Sequence, residues 1–155
     1  MLDLVDELRK LVAGLDEHKI AYALCGGMAM SVHGRTRATI DIDMLILSDS
    51  LEQVFAIAKS LGYNIRGKDL SFANEAIEIR RVSKFDPEDG DLLSLDLLLV
   101  TPAIRSVWES RIEADWEGGK LAVVSARGLI SLKRLRGSTQ DLADIEALSE
   151  GPNEG

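Results

Sequence analysis

Three aspartates stand in segments of the sequence that are otherwise almost entirely apolar. Asp41 and Asp43 alternate with isoleucines and lead into Met44-Leu45-Ile46, and Asp96 interrupts a run of aliphatic residues over 92–100. Ionised carboxylates are rarely buried without partners, because removing their water costs several kcal/mol or more. The sequence therefore indicates that these three carboxylates acquire partners in the folded chain.

The spacing of Asp41 and Asp43 indicates what such a partner would be. Side chains at i and i+2 of a strand share a face, so the two carboxylates project together with Cα atoms roughly 6 to 7 Å apart. Two like charges this close need a cation, and oxygen ligands are typical of Mg²⁺ that serves nucleotide phosphates. If the strand of Asp96 lies beside theirs, three carboxylates meet at one end of a sheet, which suggests phosphoryl or nucleotidyl transfer.

Glycines and arginines near these carboxylates suggest a phosphate site. Gly26-Gly27 follows a short apolar strand and opens a helix, whose N–H groups a phosphate can approach when no side chain intervenes. A Gly-Gly pair alone is more often a turn than a ligand site. Arg35 and Arg37 alternate on the approach to Asp41 and can both face phosphate oxygens, although each taken singly is equally well explained as a solvated loop residue.

The elements that must position these residues follow from periodicity. Helical spacing of apolar residues, N-caps and glycine stops predicts helices, and apolar alternation predicts strands. A turn-rich loop over 85–90 predicts a hairpin between two of the strands. The predicted helices lie near 4–18, 28–33, 51–61, 126–136, 139–148 and after Pro102, and the predicted strands near 20–25, 40–47, 76–82, 91–100 and 121–124.

Composition sets the wider limits. The chain has 155 residues, 46% of them hydrophobic and 5% aromatic, which predicts one α/β (α+β) domain over 1–149 followed by a flexible tail at 150–155. The net charge of -8 argues against nonspecific binding to nucleic acid. No apolar run approaches the ~18 residues of a membrane span. Cys25 is the only cysteine, and with no signal-like start we expect a cytoplasmic location.

Taken together, Gly26-Gly27 and the segment 33–43 resemble the signature of the minimal nucleotidyltransferase superfamily, and the AbiEii-type toxin branch most. That pattern consists of a glycine turn, a short helix, an Arg-x-Thr approach, an Asp-x-Asp strand and a third aspartate on a later strand, where Asp96 fits. A less specific match covers 129–135 and 140–145, which are similar to the lysine helix and the Asp-x-x-Asp helix that close such domains. In this second match, Lys133 is the lysine.

The resemblance implies a fold, a metal and a reaction. The fold is a mixed β-sheet flanked by helices. Asp41, Asp43 and Asp96 would hold Mg²⁺, with Mn²⁺ as a substitute, and Asp96 would also act as the base. The reaction would transfer NMP from an NTP to a hydroxyl acceptor on RNA or protein. A cognate antitoxin or a second copy of the chain is a candidate partner.

Other interpretations stay open at this stage. Many active members carry a serine beside the glycines, where this chain has Met28-Ala29-Met30, so a noncatalytic binding or regulatory module with the same fold is the main alternative. An Asp-x-Asp phosphatase is a weaker one. Asp96 is also explained as a buried aspartate satisfied by backbone donors, and Lys133 as a lysine that packs its stem on the apolar face. We expect Asp144 to pair with a nearby Arg or Lys.

Overall fold

The computed structural model describes residues 2–34, 41–137 and 139–150. Within these residues, eight strands form one sheet in the order β3-β5-β6-β2-β1-β8-β7, with β4 also paired to β5. The strands are β1 (Ala23–Cys25), β2 (Asp41–Ile46), β3 (Ile65–Arg66), β4 (Leu70–Phe72), β5 (Ile77–Asp86), β6 (Asp91–Leu99), β7 (Ile112–Trp116) and β8 (Gly119–Val123).

Six α-helices accompany these strands in the described parts of the chain. They are α1 (Leu4–Glu17), α2 (Gly26–Val32), α3 (Leu51–Ser60), α4 (Arg105–Glu109), α5 (Ala126–Arg136) and α6 (Thr139–Glu150). Local sequence sets their ends: Asp3 caps α1 by accepting from Asp6 N, and Ser125 caps α5 by accepting from Gly128 N. Gly137 ends α5 in the left-handed conformation at φ +68°.

The sheet mixes parallel and antiparallel pairs. β2 runs parallel to β6 and antiparallel to β1, while β1 runs parallel to β8. β5 and β6 form the long antiparallel hairpin that the loop at 85–90 predicts. The predicted mixed sheet flanked by helices is therefore confirmed.

The two faces of the sheet have different neighbours. Lys84 of β5 donates to the buried Glu7 side chain of α1, so α1 lies on the face to which Lys84 points. Arg81 is three residues away on the same strand and therefore points to the opposite face. There it lines a cleft together with α5 residues Leu129 and Leu132. The cleft thus lies on the face away from α1.

Several boundaries differ from the sequence prediction. The first strand begins at Ala23 instead of Ile20, because Ile20 N still bonds to Leu15 O in the turn that ends α1. β3, β4 and β7 were not predicted, since they are short strands that are largely exposed. The helix expected after Pro102 starts as a 3-10 turn over Pro102–Ile104 and becomes α-helical at Arg105.

The hydrophobic core is built from both the helices and the central strands. Leu8 and Leu15 of α1, Met44 of β2, Leu97 of β6 and Leu129 of α5 are all at most 1% exposed and belong to one buried cluster. Residues 151–155 of the predicted tail lie outside the described residues. No helix in the described ranges is both long enough and apolar enough to cross a membrane.

Candidate active site

Four side chains form a row across the centre of the sheet. Cys25 of β1 pairs with Asp43 of β2, Asp43 pairs with Asp96 of β6, and Asp96 pairs with Arg81 of β5. Residues that are paired in register point to the same face, so the row opens into the cleft, which all four residues line. Asp41 lies two residues before Asp43 and lines the same cleft.

The surroundings of Asp43 shift the pKa of its carboxyl group. Burial, followed by the charges of Asp96 and Asp41, raises the pKa of Asp43 from 3.8 to about 7. Lys133 and Arg136 act in the opposite direction but do not cancel this effect. The fold therefore opposes a negative charge at Asp43, and a bound cation would relieve this effect.

Arg81 holds Asp96 through two hydrogen bonds. Its Nε donates to Asp96 Oδ1 at 2.6 Å and its Nη2 donates to Oδ2 at 2.8 Å. The Asp96 side chain is 7% exposed and the Arg81 side chain 39% exposed, so the guanidinium covers the carboxylate from the solvent side. This contact also raises the pKa of Arg81. Asp96 is thus satisfied by a side chain, and the interpretation through backbone donors alone is wrong.

Gly26 is required by the position of Asp43. It has φ +68°, and a Cβ added there would overlap Asp43 Oδ2 and lie 2.7 Å from Asp43 Cγ. The backbone at the start of α2 therefore packs directly on the carboxylate, an approach that only glycine allows. Gly27 follows it in the lining of the cleft. The glycine pair thus lies in the same cleft as Asp43, as a phosphate site beside these carboxylates would require.

Two basic residues of α5 form another wall of the cleft. Lys133 is 4% exposed, and its Nζ lies 3.0 Å from Asp144 Oδ2 of α6, which is equally buried. The pairing predicted for Asp144 is confirmed. Arg136, one turn further along α5, also lines the cleft. Both cations lie close enough to Asp43 to lower its pKa.

One side of the cleft is apolar. Leu98 follows Asp96 by two residues on β6, and its partner Ile79 precedes Arg81 by two residues on β5. β4 pairs with β5 and extends this surface. The enclosed volume is about 180 Å³, which is smaller than the ~300–1,000 Å³ of typical small-molecule pockets. A larger ligand would therefore extend beyond it. The apolar lining residues are Leu70, Phe72, Ile77, Ile79, Leu98, Leu129 and Leu132.

The cleft gathers most residues selected from the sequence. Asp41, Asp43, Asp96, Gly26, Gly27 and Lys133 all line it. Arg35 and Arg37, selected as phosphate ligands, lie outside the described residues. Sequence reasoning missed Arg81 and Arg136. The hairpin register could have identified Arg81. If Asp86 faces Asp91, then moving five residues away from the turn on each strand pairs Arg81 with Asp96.

The acidic side chains of the cleft meet part of what a divalent cation requires. Asp41 and Asp43 supply carboxylate oxygens on one face with excess negative charge, which suits a hard cation such as Mg²⁺. In the described ranges, no three His, Cys, Asp or Glu side chains converge as a ready metal-ligand group. Both Asp96 oxygens accept from Arg81, so a metal at Asp96 would compete with the guanidinium for this carboxylate. Asp41 and Asp43 thus fit a metal without this competition, and Asp96 fits it with Arg81 as a competitor.

Comparisons with known proteins give the fold its name. No family model and no curated protein matches the chain. Among solved structures, it is similar to ANT(2'')-Ia in complex with adenylyl-2''-tobramycin, at TM-score 0.66 and 20% identity over 95% of this chain and 89% of that one. A structure of ANT(2'')-Ia in solution gives TM-score 0.66 and 19% identity over 95% and 84% of the two chains.

A second similar protein is the lincosamide antibiotic adenylyltransferase LnuA, in a structure with lincomycin bound. It has TM-score 0.60 and 18% identity over 94% of this chain and 96% of that one. Both proteins are nucleotidyltransferases that match the chain over nearly its whole length. The chain therefore has the nucleotidyltransferase fold, as the sequence predicted.

Proposed function

We propose that the protein is a nucleotidyltransferase that uses a divalent cation, Mg²⁺ or Mn²⁺, to transfer NMP from an NTP to a hydroxyl acceptor. One observation carries the proposal: Asp41, Asp43 and Asp96 face one cleft from adjacent parallel strands, directly beside Gly26-Gly27. The nucleotidyltransferase fold of similar structures supports it independently.

Each residue has a role in this proposal. Asp41 and Asp43 hold the cation, which when bound neutralises charge on the triphosphate. Asp96 accepts the proton of the acceptor hydroxyl while the hydroxyl oxygen attacks the α-phosphorus. The bond between the α-phosphorus and the oxygen of the leaving pyrophosphate then breaks. Asp96 can also complete the metal site. Lys133 remains a candidate for the leaving phosphates, since it lines the cleft.

Phosphate binding relies on the backbone and on cations. Gly26 and Gly27 present main chain without side chains, and Arg35 and Arg37 are proposed as further phosphate ligands from the sequence alone. Arg136 joins this group because it lines the cleft beside Lys133. This arrangement would replace the serine that many active members carry after the glycines.

Two classes of acceptor remain. The resemblance to AbiEii-type toxins suggests RNA or protein, with a cognate antitoxin or a second copy of the chain as partner and a cytoplasmic location. A small hydroxylated molecule is favoured by the apolar side of the cleft, and by similar structures that hold adenylyl-2''-tobramycin and lincomycin. The net charge of -8 also disfavours an extended RNA surface.

Transfer of label tests the proposal. The protein is incubated with each α-³²P-labelled NTP, Mg²⁺ or Mn²⁺, and separate pools of RNA, protein and small hydroxylated compounds. We expect label in one pool and none with Asp41→Asn/Asp43→Asn. Label that survives this double substitution would refute the assignment.

The noncatalytic module is separated from the enzyme by calorimetry. An enzyme should bind NTP only when Mg²⁺ is present, with heat that Asp43→Asn abolishes. A binding module should give no heat from NTP at any metal concentration. This measurement needs no knowledge of the acceptor.

A further inference from the structure

The contact between Arg81 and Asp96 conflicts with the use of Asp96 in the proposed reaction. Both carboxylate oxygens accept hydrogen bonds, at 2.6 and 2.8 Å, from the same guanidinium. The fork occupies one lone pair on each oxygen and stabilises the ionised carboxylate, so Asp96 in this contact is a weaker metal ligand and a weaker base than a carboxylate without it. Arg81 therefore competes with both roles.

Arg81 is well placed to move. Its side chain is 39% exposed, whereas the Asp96 side chain is 7% exposed, so the guanidinium can swing towards solvent and the carboxylate cannot follow. The Arg81 backbone stays fixed while this happens, because its carbonyl accepts from Gly67 N at 2.9 Å. Only the side chain has to change conformation.

Gly67 leaves room for the Arg81 side chain. It lies directly opposite Arg81, just beyond the end of β3, and a Cβ there would come within 3.1 Å of Arg81 Cβ and Cγ. A larger residue at this position would press on the stem that carries the guanidinium. The absence of a side chain at Gly67 thus leaves space for the Arg81 side chain at this edge of the sheet.

We propose that Arg81 is a built-in counter-cation for Asp96 that competes with the divalent metal and is displaced when Asp41, Asp43 and Asp96 bind the metal together. Arg81 is a positioning residue in this scheme, since it acts through Asp96. The inference rests on the proposed function. Once displaced, the guanidinium lies at the mouth of the cleft, where it can pair with a phosphate of the nucleotide.

Metal affinity without nucleotide tests this competition. Free Mn²⁺ is measured by its electron paramagnetic resonance signal at pH 7.5 for the whole chain and for Arg81→Met, Arg81→Lys and Arg80→Met. Arg80 is the matched control: it is the adjacent residue on β5, carries the same charge and points to the other face of the sheet.

We expect Arg81→Met to lower the Kd for Mn²⁺ about tenfold, which corresponds to ~1.4 kcal/mol. The Kd of Arg81→Lys for Mn²⁺ should lie between those of Arg81→Met and the wild type, because an ammonium keeps the charge but cannot form the bidentate contact. Arg80→Met should leave the Kd unchanged. The difference should persist in roughly 1 M salt, where long-range charge effects are screened within about 3 Å.

The outcomes separate this inference from the proposed function. An unchanged or raised Kd in both Arg81 variants, with Mn²⁺ binding still lost in Asp43→Asn, would overturn the role of Arg81 and leave the metal site intact. Mn²⁺ binding that Asp43→Asn does not weaken would overturn the metal site itself. Should Arg81→Met not fold, Arg81→Lys decides alone, since it keeps the positive charge beside Asp96.

Discussion

At the scale of single residues, Asp43 is the carboxyl group of the cleft whose ionisation the fold opposes. It lies between Cys25 and Asp96 in the row, with the backbone of Gly26 against its carboxylate. Burial and two neighbouring carboxylates raise its pKa to about 7. The folded chain therefore holds a proton on Asp43 more tightly than the unfolded chain does.

This raised pKa predicts the direction of a pH effect on stability. The free energy of unfolding contributed by Asp43 should fall as the pH rises from about 4 to about 7, because ionisation is penalised only in the folded state. Asp43→Asn removes this penalty. In urea unfolding with a chelator present, we expect the variant to be more stable than the wild type by on the order of 2 kcal/mol at pH 8, with a smaller difference at pH 5.

Asp49→Asn serves as the control, because Asp49 is exposed and lies outside the cleft. Its stability difference from the wild type should be the same at both pH values. An Asp43→Asn variant that loses equal stability at pH 5 and pH 8 would contradict the account given for Asp43.

Gly26 gives a second prediction for a single residue. Gly26→Ala and Gly90→Ala both place a side chain at positive φ, +68° and +78°, which costs roughly 1 kcal/mol. Only Gly26→Ala also drives a methyl group into the Asp43 carboxylate, since no atom lies within 4 Å of a Cβ at Gly90. Urea unfolding should give a further loss of ~1–3 kcal/mol for Gly26→Ala. Equal losses in the two variants would show that Asp43 can move aside.

The sequence predicted the acidic site well and its surroundings less well, for a physical reason. A carboxylate in an apolar strand is conspicuous because burial is costly, so Asp41, Asp43 and Asp96 could be selected without a structure. An arginine on a half-exposed strand carries no such signal. Arg81 becomes significant only when strand register places it opposite Asp96. The three aspartates selected by type therefore line one cleft, whereas Arg81, which is defined by pairing, was not predicted.

At the scale of elements, the pair of helices α5 and α6 is joined by the buried contact between Lys133 and Asp144. The sequence predicted both helices and this type of pairing, because their caps and apolar stripes are local features. It did not predict β3, β4 or β7, whose conformation depends on the strands they join. Local signals thus specified the helices, while long-range pairing specified the edges of the sheet.

The contact between the helices can be tested by breaking one side of it. Asp144→Ala leaves Lys133 charged in a buried position and should lower the free energy of unfolding by about 3 kcal/mol. Lys133→Met/Asp144→Leu removes both charges and should recover most of that loss. Asp115→Ala, which breaks the exposed contact with Lys120, should cost less than about 1 kcal/mol. Additive losses in the double variant would contradict the pairing.

At the scale of the whole molecule, the buried cluster extends from α1 through the central strands to α5 and α6. Trp108 of α4 is 4% exposed and belongs to this cluster, and Trp116 of β7 packs against it. The two tryptophans therefore report on the end of the sheet near β7 and β8, whereas circular dichroism reports on all helices and strands.

A single domain predicts that these two signals change together. In urea, tryptophan fluorescence and far-ultraviolet circular dichroism should give the same midpoint, because one core links both regions. Midpoints that differ would mean that the β7–β8 end unfolds separately and that the chain is not one cooperative unit.

The parallel pairing of β2 with β6 also has a consequence for how the molecule is made. Asp43 and Asp96 come from distant parts of the chain and become neighbours only when these two strands join. Because parallel strands cannot be linked by a tight turn, this joining is a long-range event that we expect to be slow in folding. Joint binding of a metal ion by Asp43 and Asp96 would thus require chains in which β2 and β6 have paired, and refolding monitored by Mn²⁺ capture would follow this pairing.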